Sequence, residues 1–196
     1  MGPAYPLRGG LATYNQLLAT KLIEQGHDVK IVTFKLQYPS ILFPGKTQYS
    51  TDPKPDNLNI EVSLNSVNPY NWIKVGKQLK NEKPDLVIFR YWMPFMGPCL
   101  GTLGRIIKKN GVSKIVTIAD NIIPHEKRFF DTPFTNYFVN SCDGFVTMSD
   151  SVLEDLKHFD AKKPALYNPH PMYESFGAAQ DKNSARAKLN LESNGK

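Results

Sequence analysis

Residues 83–92 read KPDLVIFRYW, a stretch that contains the continuous apolar run Leu86 to Phe89. Pro84 and Asp85 introduce the run, and both residue types favour turns. An unbroken apolar run of this length is typical of a strand that is covered on both faces, as in a parallel sheet flanked by helices. The stretch therefore predicts a buried strand, with Arg90, Tyr91 and Trp92 at its carboxyl end.

Strand and helix patterns alternate on both sides of this run. Short β-branched or apolar runs predict further strands at Val29–Phe34, Ile60–Leu64, Lys114–Ala119, Gly144–Met148 and Ala165–Tyr167. Helical patterns lie at residues 11–25, from Asn68, from about Pro94 or Pro98 to Lys109, between Phe129 and Ser141, and after Ser149 or Ser151. The first of these helices has an apolar stripe of Leu11, Tyr14, Leu18 and Leu22. The alternation predicts an α/β fold with a doubly wound, mostly parallel, Rossmann-like sheet.

Three helix ends carry recognisable signals. Gly26 is a plausible stop for the first helix, and Asn68 followed by Pro69 favours an N-cap with proline in the first turn. The helix after the Gly144 strand has two candidate caps, Ser149 and Ser151, and Ser151 with Glu154 has the capping-box spacing.

The composition is that of an ordinary globular protein, with 41% hydrophobic residues and a formal net charge of +6. The excess of basic residues favours anionic partners, but these residues are scattered and form no stripe, so no nucleic-acid binding is expected. The two cysteines, Cys99 and Cys142, lack a metal-binding spacing and favour reduced thiols in the cytoplasm. The uncharged stretch Tyr91–Gly104 is too short to cross a bilayer, although attachment at the membrane surface stays open.

A set of short motifs runs in order from Gly2 to about Leu191. They are Gly-Pro-x-Tyr-Pro-x-x-Gly-Gly at residues 2–10, Gly26-His27-Asp28-Val29, Lys83–Val87, Asn121–Glu126, Asp143-Gly144-Phe145 with Ser149, and Asn168–Pro171 with Phe176-Gly177. No single motif is specific, but the ordered set resembles the N-terminal domain of family-4 (group 1) glycosyltransferases of the GT-B fold.

The resemblance implies an enzyme that moves a hexose, with retention, from a nucleotide-diphosphate sugar to a glycan or lipid-linked acceptor of the cell envelope. It implies no metal and no organic cofactor. Residues 1–170 would form the acceptor-side domain, and residues 171–196 would be a linker and the start of a C-terminal donor domain. That second domain would carry the paired glutamates and the basic groups for the diphosphate, so the 196-residue chain alone is expected to be inactive.

A departure from the expected topology lies at the start of the chain. A glycine-rich turn such as Gly9-Gly10 normally follows a strand, and no strand pattern precedes it here. A missing central strand would leave its two neighbours with unpaired edges. We therefore expect either further N-terminal residues in the native protein or a poorly stable fragment.

The first candidate binding residues are Gly9 and Gly10. Glycines allow close approach of a phosphate or a sugar, and the start of the following helix offers free N–H groups and the positive end of a dipole. A plain tight turn is the structural alternative.

Further candidates follow the predicted strands at the rim where such sheets bind ligands. Asp120, Asn121, His125 and Glu126 could bind sugar hydroxyls, or could simply cap the loop. Asp120 stands where many relatives carry a histidine, which puts that residue's usual sugar contact in doubt. Arg90 suits anionic groups, whereas Ser149 at the next strand is favoured as an N-cap.

Aromatic residues provide two more candidates with a structural alternative. Tyr91 and Trp92 could stack on sugars or pack beneath the next helix. In the long loop, Gln37-Tyr38-Pro39 and Phe43-Pro44-Gly45-Lys46 could face an acceptor or a membrane, or could fold over the core.

A non-enzymatic nucleotide- or sugar-binding module with a flavodoxin-like sheet is the alternative to the transferase. A dinucleotide-dependent enzyme is disfavoured, because no strand followed by Gly-x-Gly-x-x-Gly is present. No set of His, Asp and Glu has metal-ligand spacing, so no metal site is expected.

Overall fold

The computed structural model describes residues 1–39, 47–124, 126, 128–171, 177 and 179–191. The helices are α1 (Gly10–Glu24), α2 (Pro69–Glu82), α3 (Gly97–Lys108), α4 (Asp131–Val139), α5 (Asp150–Lys157) and α6 (Lys182–Lys188). The strands are β1 (Lys30–Leu36), β2 (Asn59–Asn65), β3 (Leu86–Tyr91), β4 (Lys114–Ala119), β5 (Gly144–Thr147) and β6 (Ala165–Tyr167).

All the pairings between these strands are parallel, as the alternation of strands and helices predicts. They form a two-stranded sheet, β1–β2, and a four-stranded sheet in the order β3–β4–β5–β6. The fold is thus mixed α/β with helices between parallel strands, which fits a Rossmann-like domain.

The two sheets lie edge to edge, and a gap separates β1 of one sheet from β3 of the other. The N-terminal residues Met1 and Gly2 enter this gap at one end and hydrogen-bond to both strands. Beyond them, the edges of β1 and β3 line a cavity of about 650 Å³. We call the gap the slot.

The main core lies around β3 and β4 and continues past the slot to β1 and β2. Phe89, Tyr91 and Ile115 are fully buried there, together with Phe34 and Leu64 from the two-stranded sheet. Helices α2 and α3 pack against each other, and α3 packs against α4. The predicted stripe of α1 is only half-buried, and the buried residues of this helix are the small Ala12 and Ala19. Leu18 and Leu22 of the stripe line the slot.

The helix caps are mostly as predicted. Asn68 accepts hydrogen bonds from the backbone N–H groups of Tyr70 and Asn71, and Gly26 follows the end of α1 with a φ of 89°. For α5 the cap is Ser149, whose hydroxyl accepts from Val152 N–H.

The capping box predicted for α5 is wrong. The Glu154 carboxylate pairs with Lys157 one turn later, at 2.6 Å, and does not reach back to the helix start. Helix α5 already begins at Asp150, so Ser151 lies inside its first turn.

Candidate functional site

Arg90 and Asp120 form an ion pair at the carboxyl ends of β3 and β4. The register pairs Tyr91 with Ala119, so the ends of the two strands lie side by side. The Arg90 Nε donates to Asp120 Oδ2 at 2.5 Å, and Nη2 donates to Oδ1. The side chain of Arg90 is only 3% exposed and that of Asp120 is 20% exposed, so the pair is largely shielded from water. The anionic group that Arg90 binds is therefore the carboxylate of Asp120.

The Arg90 guanidinium is buried and makes a cation–π contact. Its guanidinium carbon lies 4.0 Å from the centroid of the Tyr14 ring, and Tyr14 meets the His170 ring edge-on at 5.4 Å. Among the described residues, the buried Nη1 atom of Arg90 has no hydrogen-bond partner. Burial raises the pKa of Asp120, and the nearby Arg90 and His170 oppose that rise.

The start of α1 lies close to this ion pair. Gly9 has a φ of 107°, a conformation that favours glycine, and precedes α1 without a side-chain cap. Gly9 and Gly10 are exposed, and a Cβ added at either position would meet no atom within 4 Å. Tyr14, which covers Arg90, is one helical turn beyond Gly10. Because Tyr14 packs on Arg90, the N-terminal part of α1 lies beside the carboxyl end of β3, with Gly9 and Gly10 exposed.

A second cavity, of about 520 Å³, begins at Asp120 and extends to α5. It is lined by Asp120, Asn121, Ile123, Pro124, Ser149, Ser151, Val152 and Asp155. The Ser149 and Ser151 hydroxyls are 2.6 Å apart and hydrogen-bond to each other. We call this space the rim cavity. It contains hydroxyls, an amide and two carboxylates, and none of the described residues that line it is basic.

The structure brings four of the predicted residues to one rim, namely Arg90, Asp120, Asn121 and Ser149. Asp120 connects the α1 side, through Arg90, with the rim cavity, where it lies beside Asn121 and Ser149. Glu126 is exposed and does not line the rim cavity. The predictions for His125, for residues 43–46 of the long loop and for Phe176 lie outside the described residues.

The aromatic candidates have a structural role. Tyr91 is fully buried, and its ring stacks on Phe138 with the centroids 4.2 Å apart. Its hydroxyl hydrogen-bonds to Thr135, and burial raises its pKa. Trp92 is half-buried and donates from Nε1 to the Tyr38 hydroxyl at 2.6 Å. This part of the long loop therefore folds back onto the rim, and Tyr91 cannot stack on a sugar.

Two residues of this rim, Tyr14 and His170, are not among the candidates that the sequence predicts. In the sequence Tyr14 stands out only as part of the apolar stripe of α1, although its position one turn after Gly10 already indicates that it lies near the glycine turn. His170 belongs to a proline-rich segment after the last strand. Its place in the Asn168–Pro171 motif is the signal that could have found it.

Two classes of feature are missing from the described part of the chain. It contains no group of three or more His, Cys, Asp or Glu residues that could hold a metal ion. Within the same residues, no helix has both the length and the apolar character needed to cross a membrane.

A comparison with known protein families places most of the chain within one family model. The model of Glycosyltransferase Family 4 matches residues 8–168, which is most of the chain and includes every rim residue described above except His170. The chain belongs to glycosyltransferase family 4. A search of curated proteins finds no significant match.

Membership agrees with the parallel α/β architecture, which fits the N-terminal domain of a GT-B glycosyltransferase. It also supports a glycosyltransferase type of activity for the full protein and implies a sugar donor and an acceptor as substrates.

Proposed function

We propose that this chain is the acceptor-side half of a retaining hexosyltransferase. The enzyme moves a sugar from a nucleotide-diphosphate sugar to a glycan or lipid-linked acceptor in envelope polysaccharide synthesis. Residues 171–196 lead into a C-terminal domain of the same protein, which binds the donor. The observation that carries the proposal is the convergence of polar groups of opposite character at the carboxyl ends of β3, β4 and β5.

The rim cavity is the proposed acceptor subsite. Its carboxylates, Asp120 and Asp155, can accept hydrogen bonds from sugar hydroxyls, and the charge of Asp155 would repel a phosphate. Asn121 and Ser151 can both donate and accept, which suits a neutral polyol. A carbohydrate hydroxyl is therefore the chemistry that this cavity favours.

The start of α1 is the proposed contact for the donor diphosphate. Free N–H groups and the positive end of the helix dipole favour an anion there. Gly9 and Gly10 are exposed, so no side chain shields these groups. As the sugar–phosphate bond breaks, negative charge grows on the leaving diphosphate, and such prearranged donors stabilise it.

The transfer assay should use the full-length protein with UDP-, GDP- and dTDP-hexoses. Anomeric NMR of the product decides between retention and inversion. We expect Asn121→Ala to lower kcat/KM about tenfold, the effect of losing one hydrogen bond of about 1.4 kcal/mol in the transition state. Asn140→Ala is the matched control, because the exposed Asn140 follows α4 and precedes the amino end of β5, away from the rim. If the two variants were equally active, the rim cavity would not be part of the acceptor site.

The isolated 196-residue chain is expected to show no turnover with any of these donors, because most of the groups that hold the diphosphate belong to the other domain. Detectable sugar transfer by the isolated chain would refute this division of labour.

The proposed location is the cytoplasm, with peripheral contact at the inner face of the membrane. The net charge of +6 favours an anionic surface. Phe129 is 95% exposed, its ring contacts Phe130, and the Arg128 guanidinium lies 6.0 Å from the Phe130 ring. An aromatic side chain beside a basic one suits a membrane interface. Phe129→Ser should weaken co-sedimentation with anionic vesicles and leave transfer to a soluble acceptor unchanged.

A further inference from the structure

One carboxylate of the rim cavity has no counter-charge. Asp120 is neutralised, because both of its oxygens accept hydrogen bonds from the Arg90 guanidinium. Asp155, on α5, is the other carboxylate that lines the cavity. Among the residues that the structure describes, no basic side chain forms an ion pair with Asp155. The uncompensated charge that these residues give the cavity is therefore that of Asp155.

The place of Asp155 in α5 does not account for a negative charge there. The helix ends at Lys157, so Asp155 lies in its last turn, where the helix dipole favours a cation and opposes an anion. The neighbouring Glu154 lies in the same turn but pairs with Lys157 at 2.6 Å. The charge of Asp155 thus has a cost to the helix that none of the described side chains offsets. A cation bound in the cavity would offset it.

Hydroxyls and an amide lie beside this carboxylate. Ser151 comes four residues before Asp155, so the two side chains lie on the same face of α5, with their Cβ atoms about 5 to 6 Å apart. The Ser151 hydroxyl is 2.6 Å from that of Ser149, and Asn121 lines the cavity from the loop after β4. Adjacent substituents of a sugar ring can each reach one of two groups at this spacing. The wall therefore offers an acceptor for an ammonium group next to partners for a hydroxyl.

An ammonium group suits this wall better than a second hydroxyl does. Asp155 is half-buried, so a ligand that fills the cavity removes water from its carboxylate. A hydroxyl replaces that water with one hydrogen bond and leaves the charge unbalanced. An ammonium group donates a charge-assisted hydrogen bond and also neutralises the carboxylate. A carboxylate or phosphate on the ligand would be repelled.

We propose that Asp155 selects an acceptor that carries an ammonium group next to a hydroxyl, as in an amino sugar, a proposal that rests on the function given above. The ammonium group binds the Asp155 carboxylate, and the neighbouring hydroxyl binds Ser151 or Asn121. Asp155 is thus a specificity-determining residue of the acceptor subsite and takes no part in the breaking of the donor bond.

Binding of three small glycosides to the full-length protein tests the proposal. The probes are the methyl glycosides of glucose, glucosamine and glucuronic acid, and saturation-transfer NMR titrations give their Kd values at a pH at which the amine is protonated. We expect the glucosaminide to bind about fivefold more tightly than the glucoside, the effect of one partly exposed ion pair, and the glucuronide to bind more weakly than either.

Two variants separate the charge of Asp155 from the overall charge of α5. Asp155→Asn should abolish the preference for the glucosaminide and change the Kd of the glucoside by less than about twofold. Glu154→Gln is the matched control, because this adjacent carboxylate pairs with Lys157 and does not line the cavity. It should keep the preference of the parent protein.

Three results would overturn the proposal. They are a glucosaminide that binds the parent no more tightly than the glucoside, a preference that survives in Asp155→Asn, and an equal loss of preference in Glu154→Gln. The transfer assay separates this failure from a failure of the proposed function. Hexose transfer without any preference for the ammonium group would reject only the role of Asp155. Binding that depends on Asp155 in a full-length protein that transfers no sugar would reject only the transferase function.

Discussion

Replacing Asp120 by asparagine leaves the buried guanidinium of Arg90 without an ionised partner. Arg90 is 3% exposed, and Asp120 accepts hydrogen bonds from both its Nε and its Nη2. The amide of asparagine has nearly the same shape as the carboxylate but only one accepting oxygen and no charge. Removing one member of a buried ion pair typically costs about 3 to 5 kcal/mol, so we expect Asp120→Asn to lower the free energy of unfolding by about 3 kcal/mol.

Urea denaturation followed by circular dichroism measures this loss, and a thermal melt should show a fall in Tm of about 6 to 12 °C. Arg90→Met and the double variant complete a double-mutant cycle. Because replacing both members removes the unpaired charge, the double variant should be at least about 2 kcal/mol more stable than the sum of the two single losses predicts.

Arg90→Met also loses the contact with Tyr14, so a Tyr14→Leu variant serves as the control that isolates the aromatic contribution, about 1 kcal/mol. A loss of less than about 1 kcal/mol in Asp120→Asn would refute the expected role of the ion pair, as would two single losses that simply add in the double variant. Either result would mean that water or another group already satisfies the guanidinium.

Three more predictions concern other parts of the fold. A Cβ on Gly97 would collide with the carbonyl oxygen of Phe134. Gly97→Ala should therefore force α3 and α4 apart and lower the free energy of unfolding by about 2 kcal/mol. A variant as stable as the parent in urea denaturation would contradict this. Partial burial would raise the pKa of Asp143, but the Lys108 ammonium 2.5 Å away and the Ile115 N–H lower it overall. This carboxylate therefore stabilises the fold above about pH 4 and loses that effect as the pH falls through its lowered pKa, so Asp143→Asn should flatten the acid limb of the stability curve. The lowered pKa of the Met1 amine has a related consequence in a chain with an intact Met1. Between about pH 5 and 8 this amine is protonated in the unfolded chain and neutral in the folded one. The free energy of unfolding should therefore rise with pH in that range, by up to about 1.4 kcal/mol per pH unit. Nα-acetylation should abolish that slope, and identical profiles for the free and acetylated chains would exclude it.

The order of strands and helices could be predicted because each is a local signal. The run Leu86–Phe89 became β3, and the Asn68-Pro69 pair became the start of α2. The capping box at Ser151 failed because two serines compete two residues apart, and only the backbone decides that Ser149 is the cap.

The individual rim residues could also be anticipated, but their partners could not. Arg90 and Asp120 were both expected at the carboxyl ends of strands. That they neutralise each other depends on the β3–β4 register across a separation of 30 residues. The stacking of Tyr91 on Phe138 likewise depends on the packing of α4, which no local pattern encodes.

The two native thiols are sheltered from chemical reagents. Cys99 and Cys142 are free and buried, and burial raises the pKa of Cys142 to about 11 and that of Cys99 further. Thiolates, the species that maleimides attack, are therefore scarce at both positions at neutral pH. A new cysteine at an exposed residue such as Thr13 or Asn140 can thus carry a fluorophore without replacing either native thiol. Dye pairs placed in this way report directly on the distance between α1 and the end of α4.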